Sequence, residues 1–449
     1  MTELLCESAL ARADFLDEYL KRNGKPYGPL HGLPISVKEH IGMKGLGLNT
    51  AYIALWDETA PEDAHVLSIL SRAGAVFHAR TTQPQSIMHL ETDSNLHGVT
   101  VNPYNTNLSA GGSSGGEGAL VGARGSCLGI GSDIGGKFSP LHLSDVLCLF
   151  SVGSIRSPAA NNGVYGLKPT SLRVPADGCS TPAPASDPIT TVIGPLSISL
   201  GGIKLFMHTV LSAQPWLHEP ALLPIPWNAS YRISPQQALK IGIMWDDGVV
   251  KPHPPITRAL RTVASKLATV PNITIVDWKP HLHDEGWAII SSLYFPDGGA
   301  ENDRVMAESG EPWRPLTEWI IKENPCVKRL KMQELWYWLE EKEAYRSEYA
   351  KVWNDTATSI DEATGMPNGT VDAIMCPVGP GVAPRHNTAK YWSYTSQWNL
   401  LDYPAISFPV CKVDEQLDRN EHRSEFLGEI DKENWELCKV FCFALIGNR

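Results

Sequence analysis

Apolar and polar positions alternate along this chain with two different periods, and the switches between them predict its elements. Residues 7 to 22 carry a charged amphipathic pattern that predicts a helix, closed by Asn23-Gly24, a C-terminal capping signal. Residues 32–37 (GLPISV) form a short apolar run leading into Lys38, which reads as a buried strand. Asp63 to Arg72 predicts a helix that stops at Ala73-Gly74, and Ala75 to Ala79 a strand after it. A glycine-rich loop then opens a helix over 116–121. In the second half, KIGIMW after Leu239 reads as a strand, Pro255 to Thr269 as a helix, Met332 to Trp353 as a charged helix, and 371–378 (VDAIMCPV) as a buried strand. Strands alternating with helices predict an α/β fold around one mixed sheet. With no internal repeat and no low-complexity linker, one domain is expected.

Composition narrows the function classes. The chain has 449 residues, of which 43% are hydrophobic, enough for a substantial core. Its 38 basic against 49 acidic residues give a net charge of −11, without a Lys/Arg cluster. This argues against nucleic acid or an anionic membrane as the main partner. The opening helix is charged rather than a signal peptide, and no apolar run reaches the length of a membrane span. Nine scattered cysteines form no C-x-x-C pair, so neither a zinc site nor a disulfide framework is expected. A reducing cytoplasm is the default location.

The chemistry concentrates in Gly111 to Gly136, GGSSGGEGALVGARGSCLGIGSDIGG. Glycine at this density lets backbone N–H groups approach a bound group closely, and a tight turn can aim several at a developing oxyanion. Lys137 follows Gly136, where acyl transfer wants a nucleophile; a serine in a suggestive context, SIRSPAANNG, appears only at Ser154. Lys38 ends a buried strand, an uncommon place for a lysine. It either snorkels out, pairs with Glu39, or serves as a neutral base, since burial can lower a free pKa of about 10.4 towards ~7–8. Ser113 and Ser114 taken singly read as loop serines; a buried lysine and a D-I-G-G turn twenty residues beyond Ser113 give the combination more weight than its parts. GSDIGGKF (131–138) also matches part of a phosphate-binding loop, but Phe138 stands where such a loop needs Ser or Thr for Mg²⁺.

GLPISVKEH (32–40), TTQPQSIMHLETDSN (81–95), TVNPYNTNLSAGGSSGGEGAL (100–120), GSDIGG (131–136), SIRSPAANNGVYGLKPT (154–170) and YTSQWNLLDYPAISFPV (394–410) together resemble the amidase signature family, in its fungal acetamidase-like branch. The resemblance runs from about residue 8 to 437. It implies an α/β amidase signature fold with a large mixed central sheet covered by helices on both faces. It also implies amide hydrolysis through an acyl-serine, with Lys38 as base, Ser113 as bridging serine after a cis peptide, and Ser154 as nucleophile. Backbone groups of Ile134, Gly135 and Gly136 form the implied oxyanion hole, and Ile87 contributes a backbone contact to substrate. Asp133 and Arg156 pair to hold the turn. No cofactor or metal is expected, the partner is a small-molecule amide, and a homodimer is compatible with the resemblance. Ile87, Met88, Trp392, Tyr394 and Trp398 point to small or apolar acyl groups, and each fits a core position equally well.

One departure bears on activity. In the family pattern a serine follows DIGG directly, whereas here the seventeen residues Lys137 to Gly153 intervene. Their deletion restores GSDIGGSIRSPAANNG, so the segment reads as a translated intron; Gly-Lys-Phe can encode a donor splice signal. The expected organisation is a single amidase domain over 1–437, short at its N-terminus and interrupted at 137–153. An atypical tail, 438–449, stands in place of the usual strand and helix. The chain as written is expected to be weakly active or inactive and the uninterrupted one competent. The alternatives are an amidase scaffold that binds without turnover and a glutamine-amidotransferase subunit.

Overall fold

The computed structural model describes residues 1–133, 153–180, 188–228, 237–419 and 423–444, with side chains through Leu437. Its centre is a seven-stranded mixed sheet in the order Glu3–Leu4, Val76–Thr81, Pro34–Lys38, Leu128–Asp133, Val192–Ser197, Tyr165–Lys168, Ala405–Ser407. Pro34–Lys38 lies parallel to both of its neighbours, and the three strands beyond Leu128–Asp133 run antiparallel in turn.

Side-chain alternation decides what each face of this sheet carries. Ile35 and Val37 point into an apolar core with Leu128, Ile130, Leu67, Leu70, Phe206 and Val210. The helices His65–Arg72 and Leu200–Ser212 supply the last four. Ser36, on the opposite face, donates its hydroxyl to Glu117 of the Gly115–Gly122 helix at 2.6 Å. That helix and Arg156–Asn161 cover the second face through Val121, Ile155, Ala159 and Leu196. The close approach depends on glycine in the strand beneath. A Cβ on Gly129 would sit 2.0 Å from the Glu117 carboxylate, and one on Gly131 2.7 Å from Ser114 Oγ.

The predicted helices are present with small shifts in their ends. The first spans Cys6–Asn23 and stops at Gly24, whose φ of 64° lets its N–H return to Leu20 O. Charged Met332–Asn354 is also helical. The second half departs from the single sheet expected. Leu239–Ile243 pairs in parallel with Ile273–Asp277 and Ala373–Met375, making a separate three-stranded sheet. The strand read over 371–378 shrinks to three residues, with Ala373 exposed and Ile374 and Met375 half-buried. Trp392, Tyr394 and Trp398, flanking and within the fully buried helix Ser393–Leu400, pack with Met88, Tyr345 and Tyr349 in an aromatic core. Among the described residues no helix is long and apolar enough to cross a membrane.

Candidate active site

Two parallel strands end side by side and deliver the central groups. Lys38 is the last residue of its strand, and Ser132 and Asp133 end the neighbouring one. Register fixes their meeting, because Val37 pairs with Ile130. Lys38 is fully buried, and its Nζ hydrogen-bonds Ser113 Oγ at 2.5 Å and Ser132 Oγ at 3.0 Å. Burial pushes its pKa down to about 7, opposed by the charges of Asp133, Glu117 and Glu39. Snorkelling is thereby ruled out. Nor does Lys38 pair directly with Glu39, whose carboxylate instead accepts the Asn49 N–H at 2.7 Å and a Gln83 N–H.

Ser113 is held by its loop. The Gly112–Ser113 peptide bond is cis. Thr92 Oγ1 donates to Gly111 O and accepts the Gly115 N–H, each at 3.0 Å. The strand of loop bearing Ile87 leans on the same glycine, since a Cβ at Gly112 would lie 2.1 Å from His89 O. Ser86 and Ile87 have φ values of 65° and 59°, left-handed backbone that a β-branched residue adopts only where its surroundings impose it. Ile87 itself is buried.

Ser154 is brought back to this loop from the far side of the intervening segment. Its carbonyl accepts the Ser114 N–H at 3.1 Å. The Asp133 carboxylate accepts N–H groups from Gly153 at 3.0 Å and Ile155 at 3.2 Å, one on each side of Ser154. Arg156 donates to the same carboxylate from Nε at 3.0 Å and Nη2 at 3.1 Å, and Asn399 adds a bond at 3.0 Å. Burial alone would raise the Asp133 pKa; Arg156 and Asn399 reverse this and bring it to about 2. Asp133 therefore stays ionised. The Ser154 hydroxyl is buried and has no hydrogen-bond partner among the described residues. So the structure joins Lys38 to Ser113 directly and holds the Ser154 backbone beside Ser114, while Ser113 Oγ and Ser154 Oγ do not bond. Ile134, Gly135 and Gly136, like Lys137, lie outside the described residues.

Ser132, Glu117, Asn399 and His40 also shape the site and were not singled out by the sequence. All four sit inside the motif segments quoted above, and that placement was the available signal. Glu117 accepts the hydroxyls of Ser36 at 2.6 Å and Thr81 at 2.7 Å, and burial raises its pKa to about 7. Of the apolar residues considered for substrate, Met88, Trp392, Tyr394 and Trp398 are core.

This arrangement has close counterparts. The sequence model of the amidase family matches residues 1–138 and 151–421. A Schizosaccharomyces pombe relative bearing an amidase name is 44% identical over 97% of this chain and 75% of its own. The acetamidase of Emericella nidulans is 37% identical over 96% of this chain and 74% of its own. The solved structure of a fatty acid amide hydrolase superposes with a TM-score of 0.84 at 32% identity, covering 97% of this chain and 72% of that one. The chain belongs to the amidase family and has the amidase signature fold. It is an amidohydrolase, whose reaction is hydrolysis of a carboxylic acid amide.

Proposed function

We propose that the reaction runs through an acyl-enzyme on Ser154, with Ser113 and Lys38 as its proton relay. The 2.5 Å contact between buried Lys38 and Ser113 carries this reading. Neutral Lys38 takes the Ser113 proton as Ser113 takes that of Ser154. The freed Ser154 oxygen then bonds to the amide carbonyl carbon. On collapse the C–N bond breaks, and the proton returns through Lys38 and Ser113 to the leaving nitrogen, releasing ammonia or an amine. Water, deprotonated by the same relay, cleaves the acyl-serine ester to acid and free Ser154. The Ser154 hydroxyl, unbonded here, meets Ser113 in the substrate complex, as catalytic hydrogen bonds commonly form or tighten on binding. The acetamidase name of two relatives supports a short acyl amide as the substrate of this chain. Free Cys6, Cys127, Cys179, Cys326, Cys376 and Cys411 suit a reducing compartment such as the cytoplasm.

We also assign residues 137–153 as an interruption of the active-site signature rather than part of it. Support comes from the break in the family match between residues 138 and 151.

The test is covalent capture. A fluorophosphonate probe followed by peptide mass spectrometry is expected to label Ser154, with labelling lost in Ser154→Ala and Lys38→Met. Undiminished amide hydrolysis by Ser154→Ala would overturn the assignment. Amide binding without turnover or labelling would favour the binding-protein alternative, for which the unbonded Ser154 hydroxyl is the motive.

A further inference from the structure

A second hydrogen-bond chain reaches the Lys38 amine through Ser132, and its direction can be worked out. It begins at His40, which is 1% exposed. Its Nδ1 lies 2.7 Å from the carbonyl oxygen of Ser180, and its Nε2 2.7 Å from Ser132 Oγ. A carbonyl oxygen only accepts, so Nδ1 carries the proton and donates. Burial, reinforced by the nearby Lys38 charge, pushes the ring's pKa down to about 3, so it holds one proton and Nε2 presents a lone pair. Nε2 therefore accepts the Ser132 hydroxyl. That commits the only proton Ser132 has. Its oxygen can then act towards Lys38, 3.0 Å away, as an acceptor alone. The backbone of Ser132 is fixed by Ser114, whose Oγ donates to Ser132 O at 3.2 Å and accepts the Ser132 N–H at 3.3 Å.

The consequence falls on the lysine lone pair. Neutral Lys38 has two N–H groups and one lone pair. A serine hydroxyl with a free proton would donate to that lone pair and hold the base in an idle state. One whose proton is already engaged takes an N–H and leaves the lone pair for another donor. The other hydroxyl bonded to the amine is Ser113, at 2.5 Å. We propose that His40 is a positioning residue: by holding the Ser132 proton it makes Ser132 a pure acceptor and turns the Lys38 lone pair towards Ser113. This rests on Lys38 acting as base through Ser113. The ring nitrogens of His40 are both engaged, with Ser180 and Ser132, so it acts through Ser132. The charged groups around Lys38, namely Asp133, Glu117 and Glu39, are left in place by every substitution below.

The experiment is a double-mutant cycle on kcat and KM with a short acyl amide. His40→Leu frees the Ser132 proton and is expected to lower kcat about tenfold to a hundredfold, within the general-base contribution of about 10²–10⁴, while KM changes less than about twofold. His40→Gln, which keeps one donor and one acceptor, should restore most of the loss. The decisive arm adds Ser132→Ala to His40→Leu. With no hydroxyl left to capture the lone pair, kcat should rise to the level of Ser132→Ala alone. Losses that multiply across the two positions, or an unaffected His40→Leu, would overturn the proposal. Retained hydrolysis by Lys38→Met would instead remove the reading beneath it, so the two failures are distinct. Histidine ¹⁵N chemical shifts of the unsubstituted protein, with His40 assigned by His40→Gln, need no folded Leu variant. They should report Nδ1–H with bare Nε2, and the opposite tautomer would overturn the proposal equally.

Discussion

The carboxylate of Asp133 accepts the backbone N–H of Gly153 at 3.0 Å, although nineteen residues separate the two in sequence. Residues on both sides of Ser154 thus hang from one buried anion, which the Arg156 guanidinium neutralises. Replacing Asp133 by Asn should leave Arg156 charged and unpaired in the interior and cost about 3–5 kcal/mol of stability. Urea denaturation of the two proteins measures it, and coincident midpoints would show that the anion is dispensable. Activity should fall further than stability, because an amide offers one acceptor oxygen where the carboxylate serves both Gly153 and Ile155.

The pKa of Lys38 makes the reaction's pH profile predictable. A base must be neutral to take a proton, and Lys38 becomes neutral as pH rises through about 7. The free-enzyme profile, kcat/KM against pH, should therefore climb across that value and level above it. Asp133, held near 2, stays ionised throughout. A limb centred near pH 10 would mean that Lys38 titrates like a lysine in water.

Glu117 gives a stability prediction of its own. Its carboxyl is raised from 4.5 to about 7, so between those values the folded chain binds a proton that the unfolded chain has lost. The stability it contributes is present at low pH and declines as pH rises through about 7. Glu117→Gln cannot ionise and should flatten that part of the curve, seen as a smaller change in denaturation midpoint between pH 5 and 8. An identical slope in both proteins would place the titration elsewhere.

Removing residues 137–153 joins Gly136 to Ser154, so that Gly136 replaces Gly153 ahead of the proposed nucleophile. A seventeen-residue excursion costs only ~2.5 kcal/mol to close, so the fold should tolerate both versions. The rate is more sensitive, since a displacement of about 1 Å at a reacting group can cost ~100-fold. The shortened protein should have the higher kcat. Equal rates in parallel amide-hydrolysis assays would contradict the assignment of this segment as an interruption.

What could be read from the sequence depended on how local its cause is. Lys38 was legible because a lysine closing the run GLPISV is out of place, and the helix ending at Asn23 because Gly24 announces it. Periodicity marked Leu239–Ile243 as a strand but could not name its neighbours, so its separate sheet emerged only from the pairing with Ile273–Asp277 and Ala373–Met375. The strand over 371–378 was overdrawn because a short apolar run does not reveal how much of it is paired. Asn399 stood in a recognised motif, but its partner did not show, since its bond to Asp133 spans 266 positions. His40 and Ser132 stood in recognised motifs, yet their mutual orientation is a property of two strand ends.

Those two ends meet through a register of three residue pairs, Ile35 with Leu128, Ser36 with Gly129 and Val37 with Ile130. A slip of one residue would turn Lys38 to the side where Ile35 and Val37 now lie. Turnover therefore reports on the alignment of the central sheet itself. On the proposed mechanism, a chain with that pairing unmade has no base in place and cannot turn over.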